Sequence, residues 1–382
     1  MNNIRIAYAI LAGMVLLFPG CHSKSGESKD ANAEKSTTAA ETTEYDQLPD
    51  NFYKRFTGNI GQYPITISLE RKGNELSGSY YYHSTGKPIR ISGLMNGEQA
   101  FSISEKDATE KITGMFDGSF TGSNKISGTW QNAARTKSYP FDLTETTSGF
   151  AIITSLKAER ENCKYADKYK KTPREDGTYW DTVCSSIKIN YLTVQAKNTA
   201  ASEKINKDII KRVCGNETNN SRLTSIEDLL RTVQSTSPED GFNTEISVLV
   251  NTNENDILSL NFGNSNYYFG AAHGNYDAQA VNYNLKTGEI IELKEILVAG
   301  YKSKLDKIAA PLFYKEHGRE GWEFTNGYFE LNTNFAITPA GLEFSYNPYE
   351  IGPYMMGAPS VVIPYKSISL LIRPEGPLGV YR

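Results

Sequence analysis

Ile65-Thr66-Ile67-Ser68-Leu69, followed by Arg71-Lys72-Gly73-Asn74 and then Leu76-Ser77-Gly78-Ser79-Tyr80-Tyr81-Tyr82, decide the fold of the first part of the chain. In the first run apolar residues stand at every second position, which places them on one face of an extended strand. Gly73-Asn74 supplies the turn residues, and the third run resumes the alternation. The same rhythm continues outward through Ile89–Ile91, Phe101–Ile103, Ile112–Phe116, Ile126–Trp130 and Tyr139–Leu143, with Ser84–Lys87 and Asn96-Gly97 as further turns. About eight strands at spacings of roughly 8–12 residues, with no amphipathic helix between them, predict an all-β meander over 52–145. It closes as an up-and-down barrel or packs as a sandwich.

Two of these strands share a pattern, Leu76-Ser-Gly-Ser-Tyr80 and Ile126-Ser-Gly-Thr-Trp130. A glycine inside a strand marks a bend or a close backbone approach. The strand order resembles small ligand-binding barrels such as avidin, which implies an open lumen. A core filled by side chains is the other reading. Tyr80–Tyr82 and His83 either line a site or form cross-strand packing pairs.

Beyond the polar joint at 144–149 the periodicity changes. Ile205, Ile209, Ile210 and Val213 fall on one face of a helix over about 202–214. Ile226, Leu229, Leu230 and Val233 repeat that spacing after Thr224-Ser225, a helix-start signal. Strands are expected at Glu245–Val250, Ile257–Phe262, Ala280–Leu285, Ile290–Leu293, Phe335–Ile337, Leu342–Tyr346 and Val361–Ile363. A third helix runs through Leu305, Ile308 and Leu312, with Pro311 a kink candidate, and a short one closes the chain near Lys366–Ile372. Residues 150–382 therefore read as an α+β domain with a mainly antiparallel sheet.

The N-terminal residues 1–21 carry Arg5, an uncharged apolar run of thirteen residues from Ile6 to Phe18, then Gly20 and Cys21. A membrane-spanning helix needs about 20 apolar residues, so the run is too short to cross. Charge, apolar run, small residue and cysteine in this order resemble a bacterial lipoprotein signal peptide. The resemblance implies lipidation of Cys21, palmitate among the acyl groups, and removal of residues 1–20. Over 22–50 seven acidic residues stand against three lysines, with almost no large apolar residue before Tyr45. Such a segment is expected to be a disordered acidic tether.

The chain has 382 residues, with 40 Lys plus Arg against 44 Asp plus Glu. That balance offers no basic excess for a phosphate backbone, which argues against a nucleic-acid partner. With Cys21 assigned to lipid, Cys163, Cys184 and Cys214 remain in a chain whose export permits disulfides. Cys163 and Cys184 flank a Lys/Tyr-rich loop between two strands and are the expected pair. Cys214 is expected to pack as an apolar side chain, and a Cys184–Cys214 bridge is the alternative. No cysteine or histidine spacing suggests a metal, and no phosphate or dinucleotide glycine motif suggests a cofactor. His273 with Glu350 and nearby tyrosines is the best candidate for acid–base chemistry. Tyr349, Tyr354, Tyr267, Tyr268 and Trp322 are candidates for a contact surface.

Phe269-Gly-Ala-Ala-His-Gly274, Asn282-Tyr-Asn-Leu-Lys-Thr-Gly288, the run from Leu342 through Tyr349-Glu-Ile-Gly-Pro-Tyr354 to Gly357, and Val362-Ile-Pro-Tyr365 carry a second resemblance. In this order they resemble the domain shared by the extracellular part of the anti-sigma factor RsiV and the non-catalytic region of the peptidoglycan deacetylase PdaC. The resemblance covers about 185–375 and implies a receptor role, since the RsiV domain binds lysozyme. Signalling and deacetylation are not implied, because the segments that perform them have no counterpart in the motifs. The expectation is a membrane-anchored cell-envelope protein that binds a protein such as lysozyme or a cell-wall glycan. Two alternatives are an envelope enzyme acting on peptidoglycan or polysaccharide through His273 and Glu350, and a small-molecule carrier using the barrel.

Overall fold

In the computed structural model, which describes residues 48–107, 110–163, 184–215, 223–234 and 241–382, the alternating segments close on themselves. The signal peptide over 1–21, Cys21 and the tether as far as residue 47 lie outside the described residues. The end of the expected tether is not free. Arg71 donates to the Leu48 and Pro49 carbonyls and pairs with Asp50, which fastens this stretch to the barrel.

Strands β1 (Asn51–Ile60), β2 (Tyr63–Lys72), β3 (Glu75–Tyr82), β4 (Ile89–Met95), β5 (Ala100–Lys106), β6 (Ile112–Thr121), β7 (Lys125–Asn132) and β8 (Ser138–Glu145) each pair antiparallel with the next. β1 pairs with β8, giving a closed eight-stranded barrel. Its interior is filled. Phe56, Ile65, Ile67, Leu69, Tyr80, Phe116 and Phe120 are all buried, and Tyr80–Phe116 and Phe101–Phe120 rings meet at 5.3 and 5.4 Å. Glu105, buried near one end, accepts from Tyr80, from Thr113 Oγ1 at 2.7 Å and from Trp130 Nε1 at 3.0 Å. Burial and the Glu105 carboxylate together push the Tyr80 phenol far above its ordinary pKa. The glycine of the second shared pattern has a packing reason: a Cβ at Gly128 would lie 2.9 Å from the Phe141 ring.

A five-stranded sheet follows, in the order β13–β12–β11–β10–β9, from β9 (Ile152–Asn162), β10 (Ser185–Gln195), β11 (Phe242–Glu254), β12 (Ile257–Tyr268) and β13 (Asn275–Asn284). All neighbours are antiparallel except β10 and β11, whose parallel pairing needs a crossover. Helices α1 (Thr199–Cys214) and α2 (Ile226–Arg231) lie in that crossover. Asn198 caps α1 by accepting from Ala200 N at 3.0 Å, and Ile205, Ile209 and Val213 are buried against the sheet. Ser225 caps α2, which gives way to a 3₁₀ turn at Thr232 while Val233 stays buried.

One sequence expectation needs correction. Ile290–Leu293 is not a strand: Ile290 makes a single bridge to Tyr283, and Leu293–Ile296 turns helical under a Glu292/Glu295 capping box. The helix α3 (Tyr301–His317) continues past Pro311 as one element. The final helix is one α turn, Tyr365–Ile368, followed by a 3₁₀ turn.

A second sheet, β14 (Phe335–Thr338), β15 (Gly341–Ser345) and β16 (Ser360–Ile363), sits beside β13. Asparagine side chains make the seam. Asn282 accepts from Ile337 N and donates to Phe335 O, both at 2.9 Å. Asn334 accepts from Ala280 N at 2.8 Å and donates to Ala278 O at 3.0 Å, and Asn347 accepts from Ala278 N at 2.8 Å. A primary amide reproduces the donor and acceptor of a peptide unit, so it continues a ladder where no strand runs. Barrel and sheets belong to one compact unit. Arg55 of β1 crosses to Glu254 and to the Asn253 carbonyl of β11, and Asn253 bonds both backbone groups of Ala151.

Candidate functional site

The turn between β12 and β13 and the turn after β15 bring aromatic side chains together. The His273 ring stacks on Tyr354 with centroids 4.0 Å apart. Its Nδ1 lies 2.7 Å from the Gly274 carbonyl, which requires a proton on that nitrogen, and Nε2 faces the Tyr349 hydroxyl at 3.5 Å. Tyr354 donates to the same Gly274 carbonyl at 2.7 Å, tying the two turns together. Tyr349 approaches Tyr354 at 5.5 Å, and Tyr276 of β13 meets Tyr354 edge-on at 6.0 Å. Tyr349 is 62% exposed and Met355 90% exposed.

Tyr349 has φ +69°, a conformation that bulky residues rarely adopt. The turn that holds it there is pinned by Glu350. One carboxylate oxygen of Glu350 accepts from Asn347 N and the other from Asn332 Nδ2, each at 2.8 Å. Each oxygen thus accepts one hydrogen bond, one from within the turn and one from the segment before β14. The structure brings His273, Tyr349 and Tyr354 together and directs Glu350 to Asn332 and Asn347. What the arrangement offers is a set of rigidly mounted aromatic rings.

The other contact candidates separate. Tyr267 and Tyr268 are exposed at the end of β12. Alternation puts Tyr267 on the face of Tyr276, through the Ser265↔Tyr276 pairing, while Tyr268 sits over Phe242 on the opposite face. Trp322 is half-buried, its ring 5.1 Å from Phe313 at the edge of the core under α3, and its Nε1 donates to the Gly318 carbonyl. Sequence reading missed Tyr276 and Met355. Tyr276 stands two residues after Gly274, and its membership becomes visible only once the hairpin register is known.

Cys163 and Cys184 form a disulfide, and Cys214 is free and buried. The β9–β10 register explains the pairing, because Asn162 faces Ser185 and the next rung places the two cysteines opposite each other. Burial pushes the Cys214 thiol up, with Asp228 adding to the shift. Among the described residues Glu161 lies with the Cys163 and Cys184 sulfurs as a group of potential metal donors, but these sulfurs are joined to each other and are not thiolates.

Residues 289–366 match a family model described as a protein of unknown function (DUF3298), and residues 180–276 match one described as deacetylase PdaC. Between them they cover the quoted motifs apart from Asn282–Gly288, and the resemblance read from the sequence holds for the C-terminal region. Curated proteins give no match. Among solved structures, a DUF3298 family member from Bacteroides fragilis is similar over 62% of this chain and 99% of its own, with 18% identity and a TM-score of 0.47. A DUF3298 family protein from Pseudomonas aeruginosa is similar over 58% of this chain and 94% of its own, with 17% identity and a TM-score of 0.45.

Proposed function

We propose that the protein is a lipid-anchored binding protein of the bacterial cell envelope, and that the face around Tyr349 docks a protein ligand of the lysozyme type. The Arg5, Ile6–Phe18, Gly20, Cys21 order and the acidic tether support export and anchoring. The two family matches support an envelope-associated protein. The observation that carries the binding role is the Tyr349 ring, exposed at a strained backbone position and braced by the His273–Tyr354 stack. A side chain held this way contributes nothing to the core, and rigid tyrosines lose little freedom when a partner binds. The engagement of Glu350 in its turn favours binding over the enzymatic alternative. The filled barrel favours a structural barrel over a carrier.

The test uses the full chain, extracted from membranes, immobilised and exposed to lysozyme. Tyr349→Ala is expected to weaken binding by about 1–2 kcal/mol, at an unchanged melting temperature. Equal affinity for the two proteins, or no affinity for lysozyme, overturns the reading. Peptidoglycan fragments that bind instead, and lose affinity in Tyr349→Ala, would make the ligand a glycan. Intact mass of the same preparation is expected to begin at an acylated Cys21, and an acyl-free N-terminus elsewhere would remove the anchor.

A further inference from the structure

We infer that the junction between barrel and sheet holds a second ligand site, separate from the Tyr349 face, that takes a neutral saccharide. A hollow of about 390 Å³ opens between the outer wall of β1–β4 and the far end of β11. That volume falls within the ~300–1,000 Å³ of small-molecule sites. The barrel wall presents Ser68, Ser77, Ser79 and Tyr81, and the sheet presents Leu249 and Asn251. A bulge between Val250 and Thr252 re-aims this part of β11. Gly78 belongs to the first of the two shared sequence patterns. A Cβ there would sit 2.0 Å from the Ser68 carbonyl, so only glycine lets β2 and β3 approach and bring Ser68, Ser77 and Ser79 onto one wall.

The charges around this hollow are already matched. Arg55, 6% exposed, is ion-paired with Glu254 and donates to Asn253 O at 3.1 Å and Tyr81 Oη at 3.2 Å. Tyr81 in turn donates to Glu254 at 2.6 Å. Glu70 accepts from Ser155 N at 2.9 Å and Ser155 Oγ at 2.7 Å, with Lys72 at 3.5 Å, and Arg90 pairs with Glu110 at 3.5 Å. An anion would have to displace Glu254 from a nearly buried guanidinium. A neutral ligand meets no such opposition. What remains unpaired is hydroxyl: among the described residues the side chains of Ser77 and Ser79 have no hydrogen-bond partner. Hydroxyls both donate and accept, which suits a ligand whose own groups do both. Leu249, 58% exposed, adds aliphatic surface with Val250, Pro88 and Pro339. Alternating hydroxyl edges and C–H faces are the surface of a pyranose ring.

Titration calorimetry of the full chain with cellotriose, mannotriose, galactotriose and chitotriose, and with inorganic phosphate, tests the inference. At least one trisaccharide is expected to bind saturably and phosphate not to bind. Ser79→Trp, which fills the hollow from an outward-facing position, is expected to weaken that binding at least tenfold. Leu249→Arg intrudes from the other wall and should do the same, so the reading stays testable if the first variant does not fold. Tyr349→Ala should leave saccharide binding unchanged, which separates this site from the protein-docking face. Failure of all four sugars, binding by phosphate alone, or saccharide affinity that survives the folded wall variants overturns the inference.

Discussion

In the barrel every strand meets its neighbour through a short hairpin, and β1 closes on β8, so the main-chain ladder has no open edge. In the α+β part the ladder stops at β13, and the next sheet is joined to it by the amides of Asn282, Asn334 and Asn347. The closed ladder leaves the barrel dependent on interior volume, carried by rings such as Phe116. The seam depends on particular polar atoms in particular orientations. It also ends in the turn that carries Tyr349, because Asn347 bonds β13 through its side chain and Glu350 through its backbone. Where side chains replace a ladder the adjoining loops are free to be shaped, and the aromatic cluster occupies such a place.

The contrast breaks first at Asn282, 2% exposed. Asn282→Asp puts a carboxylate against the Phe335 carbonyl and should destabilise by about 3–5 kcal/mol, as an uncompensated buried charge does. Asn282→Ala should cost about 1–3 kcal/mol. Urea unfolding that finds the two variants equal would remove the amide seam from the account. In the barrel, Phe116→Ala should cost about 3–5 kcal/mol through a cavity, with no comparable sensitivity at outward positions. Serine at both Cys163 and Cys184 should lower stability by about 3 kcal/mol, because the bridge closes a 21-residue separation. A loss below about 1 kcal/mol would make the β9–β10 ladder sufficient without it.

Tyr349→Gly sharpens the comparison from the functional side. Glycine relieves the positive φ, so stability should hold or rise by up to about 1 kcal/mol while lysozyme binding weakens by about the same 1–2 kcal/mol as in Tyr349→Ala. A clear drop in stability would make Tyr349 a structural residue. The smallest effect is at His83. Burial, and then the Arg55 charge, hold its imidazole below the ordinary pKa of 6.5. The unfolded chain therefore binds more protons between that lowered value and 6.5, so stability falls as pH drops below about 6.5 and is restored above it. His83→Gln should flatten that slope in melting curves recorded between pH 5 and 8, and an unchanged slope would clear His83 of any part in it.

Much of the fold was legible because it rests on neighbours along the chain. Alternation from Ile65 to Leu69 and its repeats depend on a period of two, and the Ile205–Ile209–Val213 stripe on a period of 3.6, whatever lies elsewhere. The Cys163–Cys184 bridge joins the ends of one loop between adjacent strands, so spacing pointed to it. Ile290–Leu293 misled because an apolar run does not say whether a partner strand is free; Tyr283 offered a single bridge, and the chain turned into a helix. The partners of Glu350, Asn332 and Asn347, were not legible, because in sequence they look like any loop asparagines. Arg55 and Glu254 lie 199 residues apart, and the hollow beside them exists only where barrel and sheet meet. Sequence by itself determined most of the barrel strands, the main helix and the disulfide, since each follows from local period, cap and spacing. Tertiary structure decided the asparagine seam, the hydrogen bonds of Glu350, and which residues gather around Tyr349 and around the hollow, because a polar side chain's partner is set by the path of the whole chain rather than by its neighbours in it.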